Sequence, residues 1–216
     1  EVLLPAPYWT TYPEAITLAG GVPVVIDTDV ESGFKVTVEQ LDAAKTDRTK
    51  VLLFVSPDNP SGAVYTPAEV KAIGEWAVAN GVWVITDEIY ESITYDGREH
   101  LSPASISDAM ARRTVTILGL SQTFSITGWR LGYLIAPKHA VRTLQTLHQN
   151  VVISANSFVQ LAGVAALKEC DSYVEEMRRE YDRRRRHRRF TPAPRDRYDL
   201  RPARRADVRA VQEMLG

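Results

Sequence analysis

The chain has 216 residues, 44% of them apolar and 25% charged, with a formal net charge of -1, which suits a globular protein long enough to bury one substantial core. Its single cysteine, Cys170, excludes an intrachain disulfide, and no histidine lies near it in sequence to favour a nucleophile over a small half-buried thiol. No apolar run reaches membrane-spanning length and no signal-peptide pattern opens the chain, so a cytoplasmic protein is the default expectation.

The charge is unevenly spread. Residues 178–216 carry 14 Arg against 6 acids, whereas residues 1–177 carry 12 basic against 21 acidic side chains. An acidic body precedes a basic tail. The chain opens at Glu1 and runs straight into an apolar segment, which reads as an interior start with an N-terminal segment missing.

Val2 to Leu4 is a short apolar run ended by Pro5 and Pro7, with Tyr8, Trp9 and Tyr12 in the loop or helix start that follows. Tyr12 to Ala19 suits a short helix closed by Gly20-Gly21. Val22 to Ile26 reads as a strand. Thr37 caps a helix to about Ala44, with Gln40 three residues on as in a capping box. Val51 to Val55 is a continuous apolar run, the pattern of a strand covered on both faces, and it ends in the turn-rich stretch Ser56 to Gly62. Thr66-Pro67-Ala68-Glu69 opens a helix running to about Asn80, with Gly81 as its stop. Val82 to Thr86 is the next strand, with Asp87-Glu88 at its carboxyl end, and Thr114 to Leu118 the one after. The small, hydroxylated, Gly-punctuated stretch from Ser121 suits a loop lining an anion site. Leu131 to Ala136 is a short apolar run, and Pro137 opens a helix to about Asn150. Ser157 to Glu169 and Tyr173 to about Arg186 complete the helices.

Strands alternating with helices predict an α/β fold with a mainly parallel central sheet and flanking helices. Ligands of such sheets bind beyond the carboxyl ends of the strands. The Asn59 loop, Asp87 and the Ser121–Arg130 loop all fall at such ends, so polar groups from three strands converge on one crevice. A buried carboxylate at Asp87 needs a cationic or hydrogen-bonding partner, unless it merely caps the next helix. Asn59 and Tyr90 offer hydrogen bonds, or only a turn and a surface phenol. Arg130 suits a phosphate. Trp9 either stacks on a planar ring or belongs to the core.

Four stretches carry a resemblance: Pro5-Ala6-Pro7-Tyr8-Trp9-Thr10-Thr11-Tyr12, Ser56-Pro57-Asp58-Asn59-Pro60-Ser61-Gly62, Asp87-Glu88-Ile89-Tyr90, and Ser121 to Tyr133, which reads Ser-Gln-Thr-Phe-Ser-Ile-Thr-Gly-Trp-Arg-Leu-Gly-Tyr. In order and spacing from residue 1 to about 186, they resemble the class I/II aminotransferases, fold type I enzymes that use pyridoxal 5′-phosphate (PLP), with the aspartate/aromatic branch most similar. The resemblance implies that residues 1–186 form a PLP-binding large domain, incomplete at both ends, and residues 187–216 an Arg/Pro-rich tail. It implies that Asp87 pairs with the pyridinium nitrogen, that Asn59 and Tyr90 hydrogen-bond the ring's phenolic oxygen, and that Trp9 stacks on the ring. Arg130, with Ser121 as the weaker candidate, holds the phosphate. Amino acids and 2-oxo acids are the implied substrates and a homodimer the implied assembly.

The resemblance also implies a lysine immediately before Thr123, to form the Schiff base with PLP and to move the substrate proton. This chain has Gln122 there. An amide fills neither role, so covalent attachment is not expected. Lys138, the nearest other lysine, starts a later helix and is no substitute. Three explanations remain open: an engineered change, decay in a disabled copy, or a protein that binds PLP without turnover. The family's N-terminal phosphate-binding turn and its small domain with a carboxylate-binding arginine are not found here, and the lost first strands predict an unpaired sheet edge. A non-catalytic PLP-fold fragment or scaffold with a basic tail is the alternative reading.

From about Arg183 the pattern turns to Arg, Pro and Ala. It reads as a solvated, disordered segment, or as an out-of-frame or fused tail. A nucleic-acid-binding arm is disfavoured, since aromatics are sparse and no recognition module is visible. Tyr198 to Val211 also resembles the first strand and helix of a GNAT-type acetyltransferase.

Overall fold

Five apolar runs become parallel strands: β1 (Val2–Ala6), β2 (Pro23–Asp27), β3 (Val51–Val55), β4 (Trp83–Asp87) and β5 (Thr114–Gly119). A sixth, β6 (Gly132–Ile135), runs antiparallel to β5. Their order across the sheet is β2-β1-β3-β4-β5-β6. The computed structural model describes residues 1–190; the readings placed on residues 191–216, the disordered, fused or nucleic-acid-binding tail and the GNAT-like stretch, lie outside the described residues.

The helices are α1 (Thr11–Leu18), α2 (Val38–Ala44), α3 (Pro67–Ala79), α4 (Asp108–Ala111), α5 (Leu120–Thr123), α6 (Lys138–Val151), α7 (Ser157–Glu169) and α8 (Asp171–Phe190). The capping box expected at Thr37 forms, and the cap at Thr66 makes a second one. Gln40 and Glu69 donate backbone N–H groups to the hydroxyls of Thr37 and Thr66, and their side chains accept from the cap N–H in return. Gly81 ends α3 with φ of 67°, a conformation that a Cβ would strain.

Strand alternation sorts the core into two layers. Leu3, Leu52, Phe54 and Val84 face α2, α3 and α4, and pack with Leu41, Val70, Ile73, Trp76, Ala77 and Met110. Leu4 and Leu53 face the other way and pack with Tyr12 and Ile16 of α1. Asp87 follows Thr86 on β4 and so turns to the α1 side, while Glu88 turns to the α4 side. The strand order reverses between β1 and β3, which separates the loops that leave their carboxyl ends and opens a crevice there.

Three local expectations are corrected. β1 does not stop at Pro5 but continues to Ala6. Beyond Leu3 it is laddered to β2 alone, so the missing Pro5 N–H costs no bond to β3. The Ser121–Tyr133 stretch is not all loop, since it holds α5 and a 3-10 turn over Thr127–Trp129. α8 runs past Arg186 to Phe190, so the arginines from Arg183 onward begin as helix. They pair with acids three or four residues earlier: Arg178 and Arg179 with Glu175, Arg183 and Arg184 with Glu180, Arg185 and Arg186 with Asp182.

β6 is an edge strand whose residues are all exposed. Beside it, α6 and α7 present Leu147, Val151, Phe158, Leu161 and Val164 to solvent.

Candidate active site

Asp87 ends β4 at the carboxyl rim and is 7% exposed. Its Oδ2 accepts a hydrogen bond from the Tyr12 hydroxyl at 2.7 Å and its Oδ1 one from the Ile89 backbone N–H at 3.1 Å. No Lys, Arg or His among the described residues pairs with it. Burial raises its carboxyl above the usual range; those two hydrogen bonds offset this in part, and the charge of Glu88 adds to the rise. Asp87 is therefore a buried acid lacking a cation, which a protonated ring nitrogen would supply.

Tyr12 sits on α1, one turn after Trp9, and is itself buried. Burial raises its phenol, and the neighbouring Asp87 charge raises it further, so it stays a donor. Trp9 meets the Tyr12 ring edge-on, with centroids 5.5 Å apart, and remains 46% exposed. The stacking candidate thus stands at the mouth of the crevice rather than in the core.

Asn59 and Tyr90 line one cavity of about 450 Å³, with Pro57, Ile93, Tyr95 and Arg185 among the other walls. Tyr90 is raised by burial and then by Asp87. Asp58, beside Asn59, is raised by burial, partly offset by hydrogen bonds from Ser61, and it too feels Asp87. The β3 and β4 loops therefore meet within electrostatic reach of one carboxylate.

Gln122 lies on α5, half-buried. A Cβ at Gly119 would stand 2.9 Å from its Oε1 and 3.0 Å from Ile89 Cγ2. Gly119 thus leaves the space into which the side chain at 122 folds, next to the Asp87–Tyr90 segment. Ser121 is buried in the same short helix. Arg130 is exposed, in the left-handed region at φ 53°, and donates from Nη1 to the Thr127 carbonyl at 3.1 Å. Among the described residues it forms no ion pair, and no hydrogen bond joins it to Asp87, Asn59 or Tyr90. Lys138 follows β6, which carries the chain to the opposite rim, away from Gln122.

Sequence reasoning missed Tyr12 as the partner of Asp87; its only signal was a tyrosine one helical turn after Trp9. It also missed the link between Glu88 and His100. Glu88 is 1% exposed, and its Oε2 lies 2.8 Å from His100 Nε2 while its Oε1 accepts from the Ser102 hydroxyl at 2.9 Å. With Glu91, these groups set three metal-type ligand atoms within 4.8 Å of one another. Both Glu88 oxygens are already engaged, so the cluster works as a clip closing the base of the 88–102 loop.

The donor set fits PLP at its ring: an uncompensated acid for the nitrogen, an amide and a phenol on one cavity, and a half-exposed indole. Gln122 carries an amide, which offers no amine for a Schiff base.

Residues 1–190 match the family described as aminotransferase class I and II. An aspartate aminotransferase of Streptomyces avermitilis is 46% identical over 185 residues, covering 86% of this chain and 45% of that protein. One from Geobacillus stearothermophilus is 43% identical over 184 residues, covering 85% of this chain and 47% of that protein. Among solved structures, an aromatic aminotransferase from Pyrococcus horikoshii superposes with a TM-score of 0.82 at 40% identity, covering 86% of this chain and 50% of that one. An aspartate aminotransferase from Thermus thermophilus with maleate gives 0.81 at 37% identity, covering 86% and 48%. The chain spans about half the length of the relatives it matches. Sheet order, the Asp87 crevice and these likenesses agree, and the chain belongs to the class I and II aminotransferases.

Proposed function

We propose that this chain is the PLP-binding half of a transaminase that moves an amino group between an amino acid and a 2-oxo acid, and that Gln122 leaves it binding PLP without turning over. The observation that carries this reading is Asp87, a buried carboxylate at a strand end whose hydrogen-bond donors among the described residues are the Tyr12 phenol and the Ile89 backbone N–H. Bound there, PLP supplies an electron sink at its protonated ring nitrogen. Asp87 keeps that proton in place, and Tyr12 fixes the carboxylate that does so. Asn59 and Tyr90 hold the phenolic oxygen, Trp9 covers the ring face, and Arg130, with Ser121, pairs with the phosphate. Gln122 offers an amide where the reaction needs an amine, first as nucleophile and then as base.

We also take residues 1–186 as the PLP-binding large domain and the remainder as a basic tail. A cytoplasmic homodimer belongs to the same reading. The apolar faces of α6 and α7 support an assembly that covers them, and no helix among the described residues is long and apolar enough to cross a membrane.

PLP titration followed by borohydride reduction and mass measurement tests this reading. We expect saturable PLP binding with no covalent adduct in the chain as it stands, and an adduct on residue 122 after Gln122→Lys. Absence of any PLP binding would favour the alternative, a non-catalytic scaffold with a basic tail. A reducible adduct on the unaltered chain would overturn the role given to Gln122.

A further inference from the structure

The loop that carries Tyr90 is tied down twice. At its base, Glu88 binds His100 and Ser102, which closes residues 88–102 into a ring. Inside that ring, Glu91 N–H donates to the Glu88 carbonyl and Ile93 N–H to the Tyr90 carbonyl, both at 2.9 Å, so Tyr90 sits in tight turns and moves with its neighbours. At its tip the loop is held by α8. Arg178 Nη1 donates to the Thr94 carbonyl at 3.3 Å. Arg185 Nη2 lies 2.5 Å from Asp96 Oδ1, and the guanidinium stacks over the Tyr95 ring at 4.6 Å. Asp182, 2.7 Å away on α8 itself, keeps that guanidinium in position.

The neighbouring stripe of α8 holds the other loop of the site. Ser125, three residues after Gln122, donates to Met177 Sδ at 2.8 Å and lies 3.3 Å from the Tyr181 hydroxyl. Residues 177 and 181 are one helical turn apart and touch the β5 loop. Residues 178 and 185 are two turns apart and touch the β4 loop. One rigid helix therefore spans both.

We propose that α8 is a tie bar setting the Tyr90 loop against the Gln122–Arg130 loop, with Arg178 and Arg185 as positioning residues for Tyr90. Arg185 is the stronger of the two, because it adds an ion pair and a stacked cation to a wall of the cavity that Tyr90 also lines. Any shift of α8 along its axis moves both contacts together, so the helix can transmit a distant event to the ring-binding groups. The inference rests on the PLP reading for its consequence, though not for its geometry.

Hydrogen–deuterium exchange on the full chain without PLP tests the geometry. Arg185→Ala should speed exchange across residues 90–99 about five- to tenfold, since an ion pair and a stacked cation are each worth a few-fold. Arg184→Ala, which removes a pairing confined to α8 with Glu180, should leave those amides unchanged. Equal behaviour of the two variants would overturn the proposal. PLP titration then tests the consequence. Arg185→Ala should weaken binding about five- to tenfold alone, yet by under about twofold in a Tyr90→Phe background, because the effect passes through that phenol. Arg185→Lys, which keeps the charge near Asp96, should restore part of both signals. Full additivity with Tyr90→Phe would overturn the positioning role. If the chain binds no PLP, the exchange comparison still decides the tie, so failure of the cofactor reading and failure of this inference remain distinct.

Discussion

Asp87 and Gln122 set opposite limits on the chain. Burial raises Asp87, so the folded chain holds that proton more tightly than the unfolded one. Stability linked to this group is therefore full below the ordinary carboxylate range and declines as pH rises through the folded value. Asp87→Asn removes the buried charge at nearly constant shape. It should raise the melting temperature of the PLP-free chain at neutral pH, and the gain should vanish below about pH 4. The same change should weaken PLP binding about tenfold or more, since a hydrogen bond to a charged partner is lost. Thermal unfolding across pH and a PLP titration read the two effects separately. Gly119→Ala belongs beside them. By crowding Gln122 Oε1 and Ile89, it should lower the covalent PLP yield of a Gln122→Lys chain while leaving noncovalent binding within about twofold, a small cost for a shift confined to side chains. Part of this candidate site was legible in the sequence, because Asp87 directly follows the apolar run Val82–Thr86 and Asn59 and Tyr90 lie in the loops that leave β3 and β4. Tyr12 was not, because its partner lies 75 residues away and no local pattern encodes that distance. His100 escaped for the same reason: the sequence gives no sign that Glu88 folds back upon it.

The elements obey local chemistry where local chemistry is strong. Thr37 and Thr66 cap helices as their Gln40 and Glu69 partners require, and β3 keeps the bounds of its apolar run. Removing the α3 cap with Thr66→Ala should cost about 1 kcal/mol, readable as a lower urea midpoint with an unchanged slope. Serine at the same position should restore most of it. Local reading failed where a neighbour decides. Pro5 looks like a strand breaker, but its place in β1 depends on how far β3 extends alongside. The arginines after 183 look like a solvated tail, yet acids spaced three and four residues earlier convert the first of them into helix.

At the scale of the molecule, the two sides of the sheet are unequally covered. α2, α3 and α4 seal one side around a large core, while the α1 side holds a smaller cluster and the site. Toward β6 the cover gives way to exposed aliphatic residues on α6 and α7. An exposed apolar surface of this kind marks a candidate association face. Phe158→Glu with Leu161→Glu should therefore shift the chain toward monomer in light scattering, with little change in melting temperature, since both residues are more than half exposed. An unchanged mass distribution would remove that face from the assembly.

Because β6 runs against β5, the chain crosses back over the sheet once it has built the crevice, and the molecule acquires two rims of different character. One gathers the loops after β1, β3, β4 and β5. Among the described residues, the other holds the turns that enter the parallel strands and the exit from β6. That second rim is where foreign sequence can be carried. Gly20, at φ 79° with open space around it, is a natural port for a tag, a fluorophore or a short insertion. The Asp87 crevice on the far rim would not register its presence.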